Sequence, residues 1–240
     1  MRTTFCLLIL FYLAACSKSD GYKDEPHNYN KCLILGNSIT VHGLTSYWWG
    51  VWGMAASKEE NDFLHRFEGK MKRNNPDFKC DGVNIAQWES NLSLKDIDLK
   101  SLTQIGYTCQ NQISICDYDL IVLRLGENIS DDADPVACEK AFKELVESIK
   151  LLNPTARIIM TGLFWPFEFK ETAIRNVAAD ERIQYINLDK YCTPSNMESV
   201  GNCVYGNDGL QHQIDNKDVA KHPNDSGMES IAEAIYQALQ

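Results

Sequence analysis

A serine follows an apolar run and a glycine near the start of the chain, in the stretch Gly36-Asn37-Ser38. Residues 32–35 are apolar and form a run short enough for a buried strand, and glycine permits a sharp turn at its end. A serine at such a turn has two uses. Its hydroxyl caps the helix that follows, or it becomes a nucleophile once a positioned base takes its proton. This stretch leaves both interpretations open, so the elements that bring other polar groups to Ser38 must decide.

Apolar segments of strand length alternate along the chain with segments of helical period. The alternation predicts an α/β fold, a single domain of three layers (α/β/α) around a doubly wound, five-stranded parallel sheet. Ser57 and Glu60 are expected to form a capping box at the start of the first helix. The predicted strands cover residues 32–35, 78–86, 118–126, 157–162 and 183–188, and the predicted helices cover 57–74, 135–152, 168–180 and 225–239.

Polar residues follow several predicted strands where the chain leaves the sheet. Because ligands of such sheets bind beyond the carboxyl ends of the strands, we expect these residues to gather at one rim. These polar residues and their neighbours are Asn37 and Ser38 after the first strand, Asn84, Ala86, Trp88 and Glu89 around the end of the second, Gly126, Glu127 and Asn128 after the third, and His222 before the last helix.

Three of these segments resemble one known superfamily. "GNSIT", "LGEN" and "HPNDSGM", in this order, are similar to the motifs of the SGNH (GDSL-like) hydrolase superfamily of esterases. The resemblance spans residues 32 to about 239. It implies a flavodoxin-like arrangement of the sheet. It also implies a serine esterase that removes acyl groups, such as acetyl from a carbohydrate or another small molecule, through an acyl-enzyme and without a cofactor.

The resemblance also implies roles for individual residues. Ser38 matches the nucleophile and His222 its general base, which a weakly nucleophilic hydroxyl needs. Asn128 matches a side-chain donor to the oxyanion, and the backbone N–H groups of Ser38 and Ala86 match two further donors. The resemblance therefore favours the nucleophile over the helix cap as the use of Ser38.

The third member of the triad departs from the family pattern. The family commonly has an aspartate three residues before the histidine, where this chain has Val219. Asp218 is the first candidate to orient His222, Asp215 is another, and a Ser-His dyad is a third solution. The departure also motivates a different function, a weak or inactive glycan-binding protein on the same fold.

Four further residues are candidates for substrate contact. Arg124, on an otherwise apolar strand, either binds an anionic group of the substrate or pairs with a buried carboxylate, and pairing is favoured. Glu127 is expected to cap a helix or pair with a base, and Asn37 stands where the family usually has aspartate. Trp48, beside two other tryptophans, either packs in the core or forms a platform for sugar stacking.

The first 30 residues are typical of a bacterial lipoprotein. Arg2 precedes an apolar segment at residues 5–13, and the following Leu-Ala-Ala-Cys resembles a lipobox that ends at Cys16. We therefore predict a signal peptide at residues 1–15, a lipidated Cys16 that begins a tether at residues 16–30, and an esterase domain at residues 31–240. The protein would be exported and anchored to a membrane surface, in the periplasm or on the cell surface of a bacterium.

Charge and cysteine spacing limit the remaining possibilities. The formal net charge of −10, from 33 acidic against 23 basic residues, argues against a nucleic-acid partner. Nine cysteines suggest some disulfides in an exported protein. No C-x-x-C pair is present, so no metal site is expected. The candidate bridges are Cys109 with Cys116 and Cys192 with Cys203, and Cys32 with Cys80 is an alternative pair.

Overall fold

The computed structural model describes residues 28–105 and 110–240. The predicted signal peptide, the lipidated Cys16, most of the tether and Cys109 lie outside the described residues. Within them, no helix is long and apolar enough to cross a membrane.

Five parallel strands form the central sheet in the order β2-β1-β3-β4-β5. This arrangement confirms the predicted α/β fold, and its order is that of the flavodoxin-like doubly wound sheets. The middle strand, Leu120–Leu123, is apolar throughout and fully buried because helices cover both faces. The strands are β1 (Lys31–Gly36), β2 (Lys79–Asn84), β3 (Leu120–Leu123), β4 (Arg157–Thr161) and β5 (Gln184–Ile186).

Five helices accompany the sheet, and four of them form its two outer layers. Alternate residues of a strand face opposite sides of a sheet, so Ile34 packs in one layer with α1 and α5, and Leu33 in the other with α3 and α4. Sequence patterns predicted α3 and α4 with their observed bounds, and Asp134 caps α3 by accepting from Val136 N. The helices are α1 (Phe63–Met71), α2 (Ala86–Asn91), α3 (Pro135–Leu152), α4 (Glu168–Asp180) and α5 (Asp225–Gln237).

The predicted start of the first helix is wrong. Residues Glu59–Asn61 form a 3-10 turn, and α1 begins only at Phe63. Asp62 caps the helix, because its carboxylate accepts the backbone N–H of His65 at 2.8 Å. Ser57 instead donates its hydroxyl to Asp225 at the start of α5, at 2.6 Å. The Ser57–Glu60 capping box is therefore replaced by a contact between distant segments.

Several short elements were not predicted. They are α2 and two antiparallel hairpins, Leu102–Ile105 with Gln110–Ile113 and Cys203–Tyr205 with Gln211–Gln213. Each of these helices and strands has six residues or fewer, which is too short for a hydrophobic period to be recognised.

Two of the three candidate disulfides are absent from the described part of the chain. Cys192 and Cys203 carry free thiols, so the bridge proposed between them is wrong. Cys32 and Cys80 are opposite each other on β1 and β2, as expected for neighbouring strands, and both are also free. Cys116 is a free thiol as well.

Candidate active site

Ser38 lies on a tight turn directly after β1. The carbonyl of Asn37 accepts the backbone N–H groups of Thr40 at 2.9 Å and Val41 at 3.1 Å, which closes the turn. Glycine is required at position 36, because a Cβ there would lie 1.9 Å from the hydroxyl oxygen of Thr40. The turn presents the side chain of Ser38 at the carboxyl end of the sheet.

His222 reaches this turn from the other end of the chain. It follows the 3-10 turn Val219–Lys221 and precedes α5. Its Nε2 lies 2.8 Å from the hydroxyl oxygen of Ser38. The two residues, 184 positions apart in sequence, thus have the geometry of a nucleophile and its base.

The second ring nitrogen of His222 sets the tautomer. Nδ1 lies 2.8 Å from the backbone carbonyl oxygen of Asp218. A carbonyl oxygen can only accept a hydrogen bond, so Nδ1 carries the proton and Nε2 presents its lone pair to the Ser38 hydroxyl. Burial lowers the pKa of His222 to about 4, which keeps the ring neutral near pH 7. A neutral imidazole with a free Nε2 lone pair is the form that a general base requires.

The carboxylate of Asp218 does not take part in this arrangement. It is exposed and lies 3.0 Å from the ammonium group of Lys221. Among the residues that the structure describes, Asp215 makes no hydrogen bond to His222 either. The assignment of the Asp218 carboxylate to the site is therefore corrected, because a backbone carbonyl lies at Nδ1 of His222 instead. Of the three solutions left open by the sequence, the Ser-His dyad is the one that these contacts match.

Candidate donors for an oxyanion lie around the same cavity. Ser38, Ala86, Asn128 and His222 all line a cavity of about 430 Å³. The backbone N–H of Ser38 makes no hydrogen bond to any residue in the described ranges and is available to a ligand. The N–H of Ala86 already donates to the side-chain oxygen of Asn84 at 2.9 Å. The predicted donor at Ala86 is thus engaged, and Ser38 and Asn128 are better placed to supply donors.

A buried polar cluster lies beneath the cavity. Arg124 is fully buried, and its guanidinium donates to the Glu127 carboxylate at 2.5 and 3.3 Å and to the side-chain oxygen of Asn37 at 3.1 Å. The side chain of Glu127 is 2% exposed. None of these three residues lines the cavity. Arg124 therefore pairs with a buried carboxylate, as the favoured interpretation expected. The possible substrate contacts at Asn37, Arg124 and Glu127 are corrected, because these side chains do not reach the cavity.

Trp48 is a core residue. It is fully buried and packs edge-on against Trp52, with ring centroids 6.0 Å apart. No ligand can stack on a side chain in this position, so the sugar-platform interpretation of Trp48 is wrong.

Other aromatic side chains surround the candidate site. Trp165 lies edge-on to the His222 ring at 5.0 Å and donates its indole N–H to the carbonyl of Lys221 at 3.1 Å. His42 and Tyr47 line the cavity itself. None of these three residues was predicted as part of the site, although Trp165 follows β4 at the same rim and the strand-end rule applies to it as well.

Comparison with known proteins supports the fold. No family model and no curated protein matches the chain. Among solved structures, a two-domain esterase active on acetylated mannans superposes with a TM-score of 0.54 and 16% identity, over 88% of this chain and 48% of that one. This chain thus spans about half the length of that esterase.

Two other solved structures are similar. An alpha/beta hydrolase enzyme from the metagenome of Lake Arreo, Spain, has a TM-score of 0.51 and 16% identity, over 88% of this chain and 94% of that one. A salicylyl-acyltransferase from a tetracycline biosynthetic pathway has a TM-score of 0.54 and 17% identity, over 87% of this chain and 54% of that one. At these identities the similarity establishes a shared fold, and the chemistry must be argued from this chain's own residues.

Proposed function

We propose that the protein is a serine esterase that hydrolyses carboxylic esters through an acyl-enzyme on Ser38. The observation that carries this proposal is the 2.8 Å contact between the Ser38 hydroxyl and Nε2 of His222, whose proton is fixed on Nδ1. The cavity beside this pair and the free N–H of Ser38 supply room and a donor for the reacting carbonyl. The esterases and acyltransferase of similar fold make this chemistry the natural first candidate.

The reaction follows from these positions. His222 takes the hydroxyl proton as Ser38 Oγ attacks the ester carbonyl, and the carbonyl oxygen becomes an oxyanion. The N–H of Ser38 and the amide of Asn128 are the donors for that charge, and one such donor is worth about 2.7–4 kcal/mol in the transition state. His222 then gives its proton to the departing alkoxide, which leaves as the alcohol. Water, deprotonated by His222, attacks the acyl-enzyme. The bond between the acyl carbon and Ser38 Oγ then breaks, His222 returns the proton to Ser38, and the acid is released.

We propose an acylated carbohydrate or similar polyhydroxylated small molecule as the substrate. The cavity is lined by polar and aromatic side chains, including His42, Tyr47 and Asn216, which suit hydroxyl groups on the alcohol part of an ester. Nδ1 of His42 lies 2.7 Å from the carbonyl oxygen of Gly43 and so carries the ring proton. Its Nε2 is therefore an acceptor for a substrate hydroxyl. A fold shared with an esterase active on acetylated mannans agrees with this class.

A fluorophosphonate probe and ester hydrolysis together test the proposal. The wild-type protein should be labelled at Ser38 and should hydrolyse p-nitrophenyl acetate and an acetylated oligosaccharide. Ser38→Ala should lose both properties with little change in melting temperature, since it removes only a hydroxyl at a cavity wall. Ser130→Ala, at an exposed serine near Asn128, is the matched control and should behave as wild type.

Either of two results would reject the esterase. One is labelling that persists in Ser38→Ala. The other is a wild-type protein that binds acetylated oligosaccharides without hydrolysing any ester, which would favour the glycan-binding alternative.

We further propose that the protein is exported and lipid-anchored through Cys16. In a bacterial host fed an alkyne fatty acid, the full-length protein should become labelled and partition with membranes, whereas Cys16→Ser should not be labelled. Cys6→Ser, within the same predicted signal segment, is the matched control and should retain the label. Equal labelling of Cys16→Ser and wild type would exclude the lipobox.

A further inference from the structure

Glu89 is a fully buried acidic residue on α2 whose carboxylate lies beneath the oxyanion side of the candidate site. We propose that Glu89 is a positioning residue: it fixes the side-chain amide of Asn128 so that the NH₂ group, and not the oxygen, is offered to the oxyanion. The inference rests on the proposed esterase function and adds a residue that neither the sequence motifs nor the dyad includes.

Three N–H donors converge on this carboxylate. Asn128 Nδ2 donates to Oε2 at 2.5 Å, while Gly126 N and Asn37 Nδ2 donate to Oε1 at 2.5 and 3.0 Å. None of these partners can accept a proton, so the contacts fit the ionised form of Glu89. These three hydrogen bonds favour the ionised form, whereas burial and the nearby charge of Glu127 raise the pKa of Glu89.

The chemistry of these contacts decides which way the Asn128 amide points. The oxygen and NH₂ ends of an asparagine have nearly the same shape, so packing alone does not distinguish them. A carboxylate only accepts hydrogen bonds, and it would repel the amide oxygen. Glu89 therefore holds Nδ2, whose second N–H remains available to a ligand. With the amide reversed, Asn128 would present an oxygen to a developing negative charge and would oppose the reaction.

The same carboxylate connects the two loops that form the site. Its bond to Gly126 N fixes the backbone two residues before Asn128, and its bond to Asn37 fixes the residue beside Ser38. Gly126 adopts φ +132°, and a Cβ there would lie 2.5 Å from a methyl group of Leu163, so only glycine fits at this point of the loop. Glu89 thus sets the amide of Asn128 relative to the turn that carries the nucleophile.

Glu89→Gln tests the inference because its effect on Asn128 can be derived. The backbone N–H of Gly126 cannot reverse, so the glutamine must keep its oxygen on the side of Gly126 and Asn37. Its NH₂ group then faces Asn128, whose amide must reverse to bring its own oxygen to this new donor. The oxyanion loses one side-chain donor. We expect kcat to fall on the order of 10²-fold, with KM nearly unchanged.

A double-mutant cycle separates positioning from a general structural role. If Glu89 acts through Asn128, then adding Asn128→Ala to Glu89→Gln should lower kcat little further. Glu171→Gln is the matched control. Glu171 is also buried and also accepts a backbone N–H, from Leu163 at 2.6 Å, but its other oxygen accepts the hydroxyl of Tyr185 and not the amide of Asn128, so kcat should stay at the wild-type value.

Each outcome has a distinct meaning. Wild-type kcat in Glu89→Gln, or full losses that multiply in the double mutant, would overturn the inference while leaving the esterase intact. A wild-type protein without esterase activity would instead reject the proposed function.

If Glu89→Gln does not fold, NMR of the wild-type protein decides. With ¹⁵N-labelled asparagine and Asn128→Ala for assignment, one Nδ2 proton of Asn128 should be shifted downfield and protected from exchange. Two rapidly exchanging protons at the shifts of a solvated amide would overturn the assignment to Glu89.

Discussion

Replacing His222 by alanine is expected to lower kcat on an activated ester by about 10⁴-fold or more, since nucleophile and base act as a unit. Asp218→Ala should leave kcat near the wild-type value. The reason for the contrast is that Asp218 orients His222 through its backbone carbonyl, which alanine retains. Within residues 28–105 and 110–240, its carboxylate pairs with the exposed Lys221 alone, and such surface pairs contribute little.

Steady-state kinetics of five variants check this prediction: Ser38→Ala, His222→Ala, their combination, Asp218→Ala and Asp215→Ala. Ser38→Ala combined with His222→Ala should be no worse than either single variant, as expected for two groups that share one proton transfer. Asp215→Ala serves as a second control on the same loop. A loss in Asp218→Ala as large as that in His222→Ala would show that the carboxylate acts in solution, and the dyad would have to be replaced by a triad.

The pH dependence of kcat/KM tests the role of His222 as the base independently. Burial lowers the pKa of His222 from its usual value of 6.5 to about 4. The base must be neutral to accept the Ser38 proton, so kcat/KM should be constant from neutral pH down into the mildly acidic range. It should then fall as the pH passes through the lowered pKa. A profile that falls already near pH 6.5 would mean that the ring of His222 is solvated and not buried.

Local sequence patterns predicted most of the fold. All five strands of the sheet were found because central parallel strands are continuous apolar runs bounded by turns. The long helices α3 and α4 were found because their apolar period is sustained over several turns. The start of α1 was missed because the partner of Ser57 is Asp225, 168 positions away, and no local pattern encodes that contact.

The candidate site was predictable where side chains carry the information, and not where the backbone does. Ser38, His222 and Asn128 stand in motifs whose order along the chain could be recognised. The orienting group of His222 is a carbonyl, which every residue possesses, so the search for a carboxylate led to the side chain of Asp218. Glu89 was noted at the rim, but its function depends on three distant donors that only the folded chain brings together.

Replacing Arg124 is expected to lower the stability of the protein more than replacing Ser38, Glu89 or His222. Arg124 is the cation beside two buried carboxylates: it pairs directly with Glu127, and Asn37 links it to Glu89. Arg124→Met keeps an apolar chain of similar length but leaves Glu127 buried without its guanidinium. Breaking a buried pair in this way costs about 3–5 kcal/mol, which corresponds to a decrease in Tm of roughly 6–20 °C for a domain of this size.

Thermal unfolding of matched variants tests the source of this loss. Lys140→Met removes one partner of an exposed pair with Glu144, whose side chains are 74% and 51% exposed, and should change Tm little. Combining Arg124→Met with Glu127→Gln should recover part of the stability, because the second change removes the unpaired charge. A loss that is no larger than that of Lys140→Met, or that Glu127→Gln does not reduce, would mean that the charge of Arg124 is not what stabilises the cluster beneath the site.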